Sequence, residues 1–466
     1  MDQSVHQAAG QGAGLGAGAA MRIGVDGFNL AMPRGTGVAT YARVLTQALA
    51  GMGHPVDVLY GLPIGPRTPA LLREVIFFDS LDQEAARKRP AAMTPRWAKE
   101  ALGLHPNAAV PVPVTGRVLS EGFRGRMPAY DRILNVEDLF NRAERHFKRW
   151  GRFLRVTVPD PPAVMHWTYP LPVRLEGARN IYTMHDLVPL RMPYTTLDNK
   201  RGYARLIRGC LRWGDHVCTV SDASRRDIMD LFGVPPDRIT NTFQSAVPAP
   251  APVQSDAELD GWLHGLFGLR GGGYFLFFGA LEPKKNVGRL LEAYLASGLD
   301  TPLVVIGGRA WKSEGELRLI QAAPGSGGVA AAQRVRQFEY MPRPWLTALV
   351  RGARAVVFPS LYEGFGLPVL EAMQLGTPVI TSTESSLPEV AGEAALLVNP
   401  YDTAAIAAAM RRLDGDPALR ANLSAAGLRQ AQRFAMPEYQ ARLRALYAAV
   451  LARPAGVPVV APVRER

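Results

Sequence analysis

FPSLYEGFGLPVLEAMQLGTPVI, residues Phe358–Ile380, is the stretch on which the reading of this chain turns. An apolar strand closes at Phe358, two glycines bracket Phe365, and Pro368 stands where the first helical position falls. A helix is expected from there to about Leu375. Glu363 lies in the loop ahead of that helix, and Glu371 is expected in its first turn. Gly364 and Gly366 let the main chain approach a ligand closely, and free N–H groups near a helix N-terminus suit hydroxyl or phosphate oxygens. Carboxylates accept paired hydrogen bonds from vicinal hydroxyls, which sugar and ribose rings offer. Complementing the helix dipole would account for Glu371 alone. It does not account for the glycines and Glu363 together.

The same strand–turn–helix rhythm runs outward from this segment in both directions. Downstream lie strands at 379–381 and 395–398, and upstream at 274–278, 303–306, 335–340 and 353–358, with helical patterns between them. The chain begins with MDQSVHQAAGQGAGLGAGAA, residues 1–20, which lacks the basic and apolar regions of a signal peptide and is expected to be a flexible tail. From Met21, short apolar runs at 21–27, 56–60, 74–78, 163–167, 180–184 and 216–221 read as strands, with an amphipathic helix over 38–52. The alternation predicts an α/β chain of two doubly wound parallel-sheet, Rossmann-like domains facing each other across a cleft. The expected boundaries are 21–247 for the first domain, a Pro/Ala/Gly linker over 248–273, and 274–432 for the second. A helix over 433–452 is expected to cross back to the first domain, ahead of a tail over 453–466.

Lys and Arg number 53 against 41 Asp and Glu, a net charge of +12, and residues 84–155 carry 15 of those cations against 7 acids. Within this basic insert Arg96, Trp97, Lys99, Phe147, Lys148, Arg149, Trp150, Arg152 and Phe153 interleave cations with rings. Two readings stand: a solvated helical face with its aromatics in the core, or a surface that meets anionic lipid or a polyanionic acceptor. Two cysteines cannot build a disulfide framework, and no apolar run is long enough to span a bilayer. No H-E-x-x-H, Cys-x-x-Cys or G-x-x-x-x-G-K-[ST] occurs, so no metal site is expected.

Three further segments carry candidate chemistry. In FFGALEPKKNVGRLLEAY, Phe277–Tyr294, a strand ends at Gly279, a turn carries Lys284 and Lys285, and a helix opens after Asn286, read as its N-cap. Ammonium groups beside a helix N-terminus suit a diphosphate, and a solvated basic turn is the alternative. In IYTMHDLVPL, His185 and Asp186 sit just past a strand, as a binding pair in the cleft or as a capping pair that fixes the loop. The Gly35-Thr36-Gly37 turn points at the cleft by topology but is not a dinucleotide fingerprint. Ser221 reads as the N-cap of the next helix, and Ser221 and Gln244 are placed near the cleft. Cys218, inside a strand, is read as core.

The run E-G-F-G-L-P-V-L-E is similar to the E-x7-E motif of the retaining glycosyltransferases of family 4, which have the two-domain GT-B fold. The likeness extends over about 21–451, densest in 274–400. It implies that Glu371 holds the nucleotide ribose and that Glu363, Gly364, Phe365, Gly366 and Leu367 face the donor sugar. It also implies that Gly279, Lys284 and Lys285 meet the diphosphate, with Lys285, Glu363 and His185 as the catalytic set. Gly35, Thr36, Gly37, Asp186 and Ser221 would border the acceptor or the phosphate, Asp186 orienting His185 or lying near the acceptor. Many members carry an arginine where this chain has Ala280, and Lys284 is expected to supply the missing charge. The E-P-x-K-N variant resembles mannosyltransferases of bacterial surface-polysaccharide assembly. The implied activity is metal- and cofactor-independent transfer with retention through a front-face, oxocarbenium-like transition state. The expected donor is GDP-mannose and the acceptor a lipid-linked oligosaccharide or polysaccharide. The expected place is the cytoplasm, at the inner face of the membrane, with 84–155 toward anionic lipid. The alternatives are a UDP-sugar donor, a phosphorylase or epimerase of the same fold, or a basic anion-binding module. The last is disfavoured because no nucleic-acid motif occurs and the charge is concentrated in one insert.

Overall fold

A computed structural model of the chain describes residues 20–32, 37–82, 107–123, 125–308, 334–454, 456 and 458–460. The apolar runs become two parallel sheets. The first has the edge-to-edge order Ile239–Asn241, His216–Thr219, Arg179–Met184, Val164–Trp167, Ile23–Asp26, Val56–Tyr60, Arg132–Asn135, Val110–Pro111, and only the last pair is antiparallel. The second has the order Val335–Phe338, Leu303–Ile306, Phe275–Phe278, Ala355–Phe358, Val379–Ser382, Leu396–Val398, all parallel. Strand direction of winding reverses between Ile23–Asp26 and Val164–Trp167 in one sheet and between Phe275–Phe278 and Ala355–Phe358 in the other. Crevices open at such switch points beyond the carboxyl ends of the strands. Both domains therefore offer a crevice.

The helices used below are α1 (Gly37–Gly51), α2 (Ala70–Asp82), α3 (Leu139–Trp150), α4 (Lys200–Trp213), α5 (Asp222–Phe232), α6 (Asp256–Phe267), α7 (Val287–Ser297), α8 (Arg343–Arg351), α9 (Leu367–Gln374) and α10 (Met436–Leu451). The strand expected at 74–78 is in fact the middle of α2. Its buried residues Glu74, Phe77, Phe78 and Leu81 fall at i, i+3, i+4 and i+7, which is a helical stripe. Glu74 is buried because its carboxylate accepts from Thr115 N and Oγ1 and from Gly116 N.

The segment 248–273 contains α6, opened by a reciprocal Ser255–Glu258 capping box and packed through Leu259 and Leu263. At the other end α10 lies on the first domain. Gln440 Nε2 donates to Ala48 O at 3.1 Å, and the Tyr447 hydroxyl lies 2.8 Å from His166 Nδ1. The chain beyond α10 also returns to that domain, with Val459 buried and its N–H on Leu211 O.

In the basic insert the two readings divide the residues between them. Phe147 and Phe153 are buried against one another, with ring centroids 5.6 Å apart. Lys148 pairs with Glu144 one turn away, whereas Arg149 lies over Trp150, which is 44% exposed. Arg96, Trp97 and Lys99 lie outside the described residues. Among the described residues no helix is long and apolar enough to cross a membrane.

Candidate functional site

The floor of the second domain's crevice is the turn that follows Phe275–Phe278. Gly279 (φ 143°) leads to a 3-10 turn, Pro283–Lys285, before α7. Asn286 takes the N-cap position of α7, but its side chain makes no capping hydrogen bond. It is held at φ 61°, and its amide donates to Pro359 O and Pro400 O, stitching the turn to the neighbouring strand end. Lys285 Nζ reaches Glu363 Oε1 at 2.5 Å and sits 4.9 Å over the Phe358 ring. Lys284 Nζ crosses to the first domain and stands 3.6 Å from Asp186 Oδ2. Burial alone would lower the Lys284 pKa, but Asp186, Glu363 and Glu282 around it outweigh that and raise it well above the ordinary lysine value. It is a fixed cation.

The loop ahead of α9 is clamped from below. Ser385 and Ser386 donate to Glu363 O at 2.6 and 2.9 Å, and Ser386 also to Phe365 O at 2.9 Å. Gly366 caps the helix at φ 104°. Helix α9 starts at Leu367, so Pro368 is its second residue and Glu371 its fifth, beyond the expected first turn. Glu371 is buried with Arg343 Nη2 2.8 Å away, and the two line a small recess with Pro248, Thr347 and Leu375. The Phe365 side chain turns inward onto Phe434, with ring centroids 5.4 Å apart, so only its main chain is left for a ligand. Gly364 is pressed against the first domain, where a Cβ would fall 3.0 Å from the carbonyl carbon of His185. Leu367 comes near Gly37, the one residue of the Gly35-Thr36-Gly37 turn that is described.

His185 sits at the end of Arg179–Met184, at the edge of this contact. Its Nε2 is 2.8 Å from Thr168 O. A carbonyl only accepts, so that nitrogen carries the proton and Nδ1 of the neutral ring is left with its lone pair. Burial lowers the imidazole pKa, favouring the neutral form, while the Thr168 carbonyl and Asp186 work against it. Tyr41 meets the ring edge-on at 4.9 Å. The Thr168 peptide is itself fixed, its N–H donating to the fully buried Asp26, whose carboxyl is pushed up to about 6 by burial. Asp186 accepts from Val188 N, so the capping alternative holds for it alongside its place beside Lys284.

Ser221 does cap α5, accepting from Ser224 N at 3.0 Å and donating to Ser224 Oγ. That duty uses the hydroxyl expected to face phosphate. The N-terminus of α5 is instead occupied by Glu389 of the second domain, which accepts from Asp222 N at 2.8 Å and Ala223 N at 2.6 Å. Gln244 is buried. Asp26, Tyr41, Thr168, Arg343 and Glu389 were not singled out from sequence. Asp26 was the most accessible, as the one acid closing an otherwise apolar strand at a glycine.

The family profile "Glycosyltransferase Family 4" matches residues 35–240, and "Glycosyl transferases group 1" matches 270–430. The chain is 37% identical over 269 residues to O-antigen chain mannosyltransferase B of Escherichia coli, covering 57% of this chain and 68% of that protein. It is 28% identical over 337 residues to the serotype-specific mannosyltransferase WbdA of Escherichia coli, covering 66% of this chain but spanning only 41% of that longer protein. Sucrose-phosphate synthase from Thermosynechococcus elongatus superposes with a TM-score of 0.60 at 18% identity, over 92% of this chain and 98% of that one, which speaks to the fold. With two switch-point crevices closing on one another around the E-x7-E loop, the chain belongs to the family 4 glycosyltransferases and has their GT-B fold.

Proposed function

We propose that the chain is a retaining mannosyltransferase that moves mannose from GDP-mannose to a lipid-linked or polysaccharide acceptor in surface-polysaccharide assembly. The observation that carries the reading is the pair of lysines on one turn at the switch point, Lys285 on Glu363 and Lys284 on Asp186 across the cleft. When the anomeric C1–O bond breaks, the electron pair leaves with the diphosphate. Fixed cations aimed at that charge do more than an acid would. Lys284, Lys285 and the N-terminus of α7 would take the phosphate oxygens without a metal. Glu363 and the main chain of Gly364–Gly366 would hold the sugar hydroxyls, and Glu371 would exchange Arg343 for the ribose. His185 Nδ1 is an acceptor for a sugar hydroxyl. The acceptor alcohol would add to the face the diphosphate leaves, its proton passing to a phosphate oxygen.

The mannose assignment is supported by the named activities of the two relatives above, and no resident cofactor is invoked. The test is a panel of GDP- and UDP-sugars with a lipid-linked acceptor and mass-spectrometric readout, followed by NMR of the product's anomeric centre. GDP-mannose consumed with an α-linked product supports the reading. Use of UDP-sugars alone, a β-linked product, or activity abolished by a chelator overturns it.

A further inference from the structure

We propose that the first domain docks on an anionic lipid bilayer through an arginine stripe on α4, beside which only the end of the basic insert lies. Arg201, Arg205, Arg208 and Arg212 are 4, 3 and 4 positions apart, so they share one side of the helix. All four are exposed, while Ile207, Cys210 and Leu211 on the other side are buried. At 1.5 Å per residue the stripe is about 16 Å long. Three of its guanidiniums lie over rings, Arg205 over Phe147 at 5.3 Å, Arg208 over Phe232 at 5.9 Å and Arg212 over Trp213 at 4.8 Å. Among the described residues none of the four is in an ion pair with a carboxylate. Such contacts keep a guanidinium in place and leave its N–H edges for phosphate oxygens.

The neighbouring elements extend the face. Arg205 packs beside Gly151 at the end of α3, bringing Arg149, Arg152 and the exposed Trp150 next to the stripe. A row of arginines with the 44% exposed Trp150 beside it is the composition that settles at the boundary of headgroups and acyl chains. A soluble polyanion would use the charges but not the indole. On its inner side α4 is tied to the site, Tyr203 OH donating to Asp186 O at 3.0 Å. If the transfer reading above holds, a bilayer on α4 lies one helix away from the cleft that a lipid-linked acceptor must enter.

The test is co-sedimentation of the full chain with vesicles of phosphatidylcholine alone and of phosphatidylcholine with phosphatidylglycerol, at low and high salt. Wild type should bind the anionic vesicles and be released by salt. Each arginine at such a surface is worth roughly fivefold in partitioning. The variant Arg201→Gln/Arg205→Gln/Arg208→Gln/Arg212→Gln should therefore lose about a hundredfold or more. The variant Arg411→Gln/Arg412→Gln/Arg429→Gln/Arg433→Gln, of equal charge change on exposed positions of the second domain and the turn that follows it, should bind as wild type. If the fourfold stripe variant does not fold, Arg205→Gln/Arg212→Gln should still lose about twentyfold. Equal binding of stripe variant and wild type, equal binding to neutral vesicles, or an RNA homopolymer competing as well as anionic lipid would overturn the proposal. The readout is binding, so it stands or falls separately from the sugar transferred.

Discussion

At Gly364 the two domains meet closely, and Gly364→Ala tests whether that closeness is needed for transfer. A Cβ at 364 would stand 3.0 Å from the carbonyl carbon of His185 and nearer still to its oxygen, where ordinary contact begins at 3.4 Å. Neither side yields easily. The His185 carbonyl accepts from Ser224 Oγ at 2.7 Å, and the 363–365 main chain is clamped by Ser385 and Ser386. The methyl must therefore be accommodated by parting the domains by roughly 0.5–1 Å, and a misplacement of about 1 Å at a reacting centre costs about 100-fold. Overpacking of this kind costs about 1–3 kcal/mol, but here opening the seam relieves it, so each domain's unfolding midpoint should stay near wild type. Glu371 and Arg343 both lie in the second domain, so affinity for GDP should change less than tenfold in an equilibrium titration. The expected pattern is kcat down by about 10- to 100-fold with GDP binding nearly intact. Gly265→Ala, in α6 with nothing near its Cβ, is the control and should be silent. A Gly364→Ala enzyme with wild-type kcat would refute the reasoning.

Glu371→Ala should weaken GDP binding by about 10- to 100-fold, the range for hydrogen bonds to a charged group, measured by calorimetry; unchanged affinity would remove Glu371 from the ribose site. Lys285→Ala should lower kcat by about 10²–10³ while leaving the acceptor KM near wild type, measured in steady state. Asp26→Asn should lower kcat in the wild type but add nothing in a His185→Ala background, because its effect passes through the Thr168 peptide to that ring; additive losses would break the link. Stability should fall as the pH drops from 6.5 toward 4. Burial pushes His166 down to about 3 and His216 down to about 4, so the unfolded chain binds protons there that the folded one refuses. Asp26 opposes this between about 6 and 4, the folded carboxyl holding its proton more tightly, but the two histidines outnumber it. Urea midpoints across that range should flatten in His166→Asn, by about 3 kcal/mol at the acid end.

What was legible in the sequence is what depends on near neighbours along the chain. Buried parallel strands are continuous apolar runs, so Leu303–Ile306 is found at the expected residues. The same reasoning failed at 74–78, because five residues cannot separate a strand from a helix face. The wider spacing through Leu81 does separate them. Asn286 does take the cap position, but its side chain is engaged elsewhere, Nδ2 donating to two carbonyls of distant loops and Oδ1 accepting from Arg289. Charge counted in a window pointed to 84–155, whereas charge read at helical period points to α4, where no acid offsets the arginines.

The cleft's own partners were out of reach of any local rule, since each joins one sheet to the other: Lys284 with Asp186, Glu389 with the N-terminus of α5, Gly364 with the His185 carbonyl. These contacts change what donor binding has to be. Both lysines of the turn already have carboxylate partners, so a diphosphate cannot simply add to a vacant positive pocket. Bound as proposed, it would have to take the lysines from Glu363 and Asp186. Glu363, once released, would be left beside the position where sugar hydroxyls can satisfy it, whereas among the described residues Asp186 has no ion pair besides Lys284. A bare diphosphate offers nothing to the released Glu363, while a complete nucleotide sugar does. The exchange therefore favours the intact donor over its leaving group, and competition by GDP should be weaker than competition by GDP-mannose.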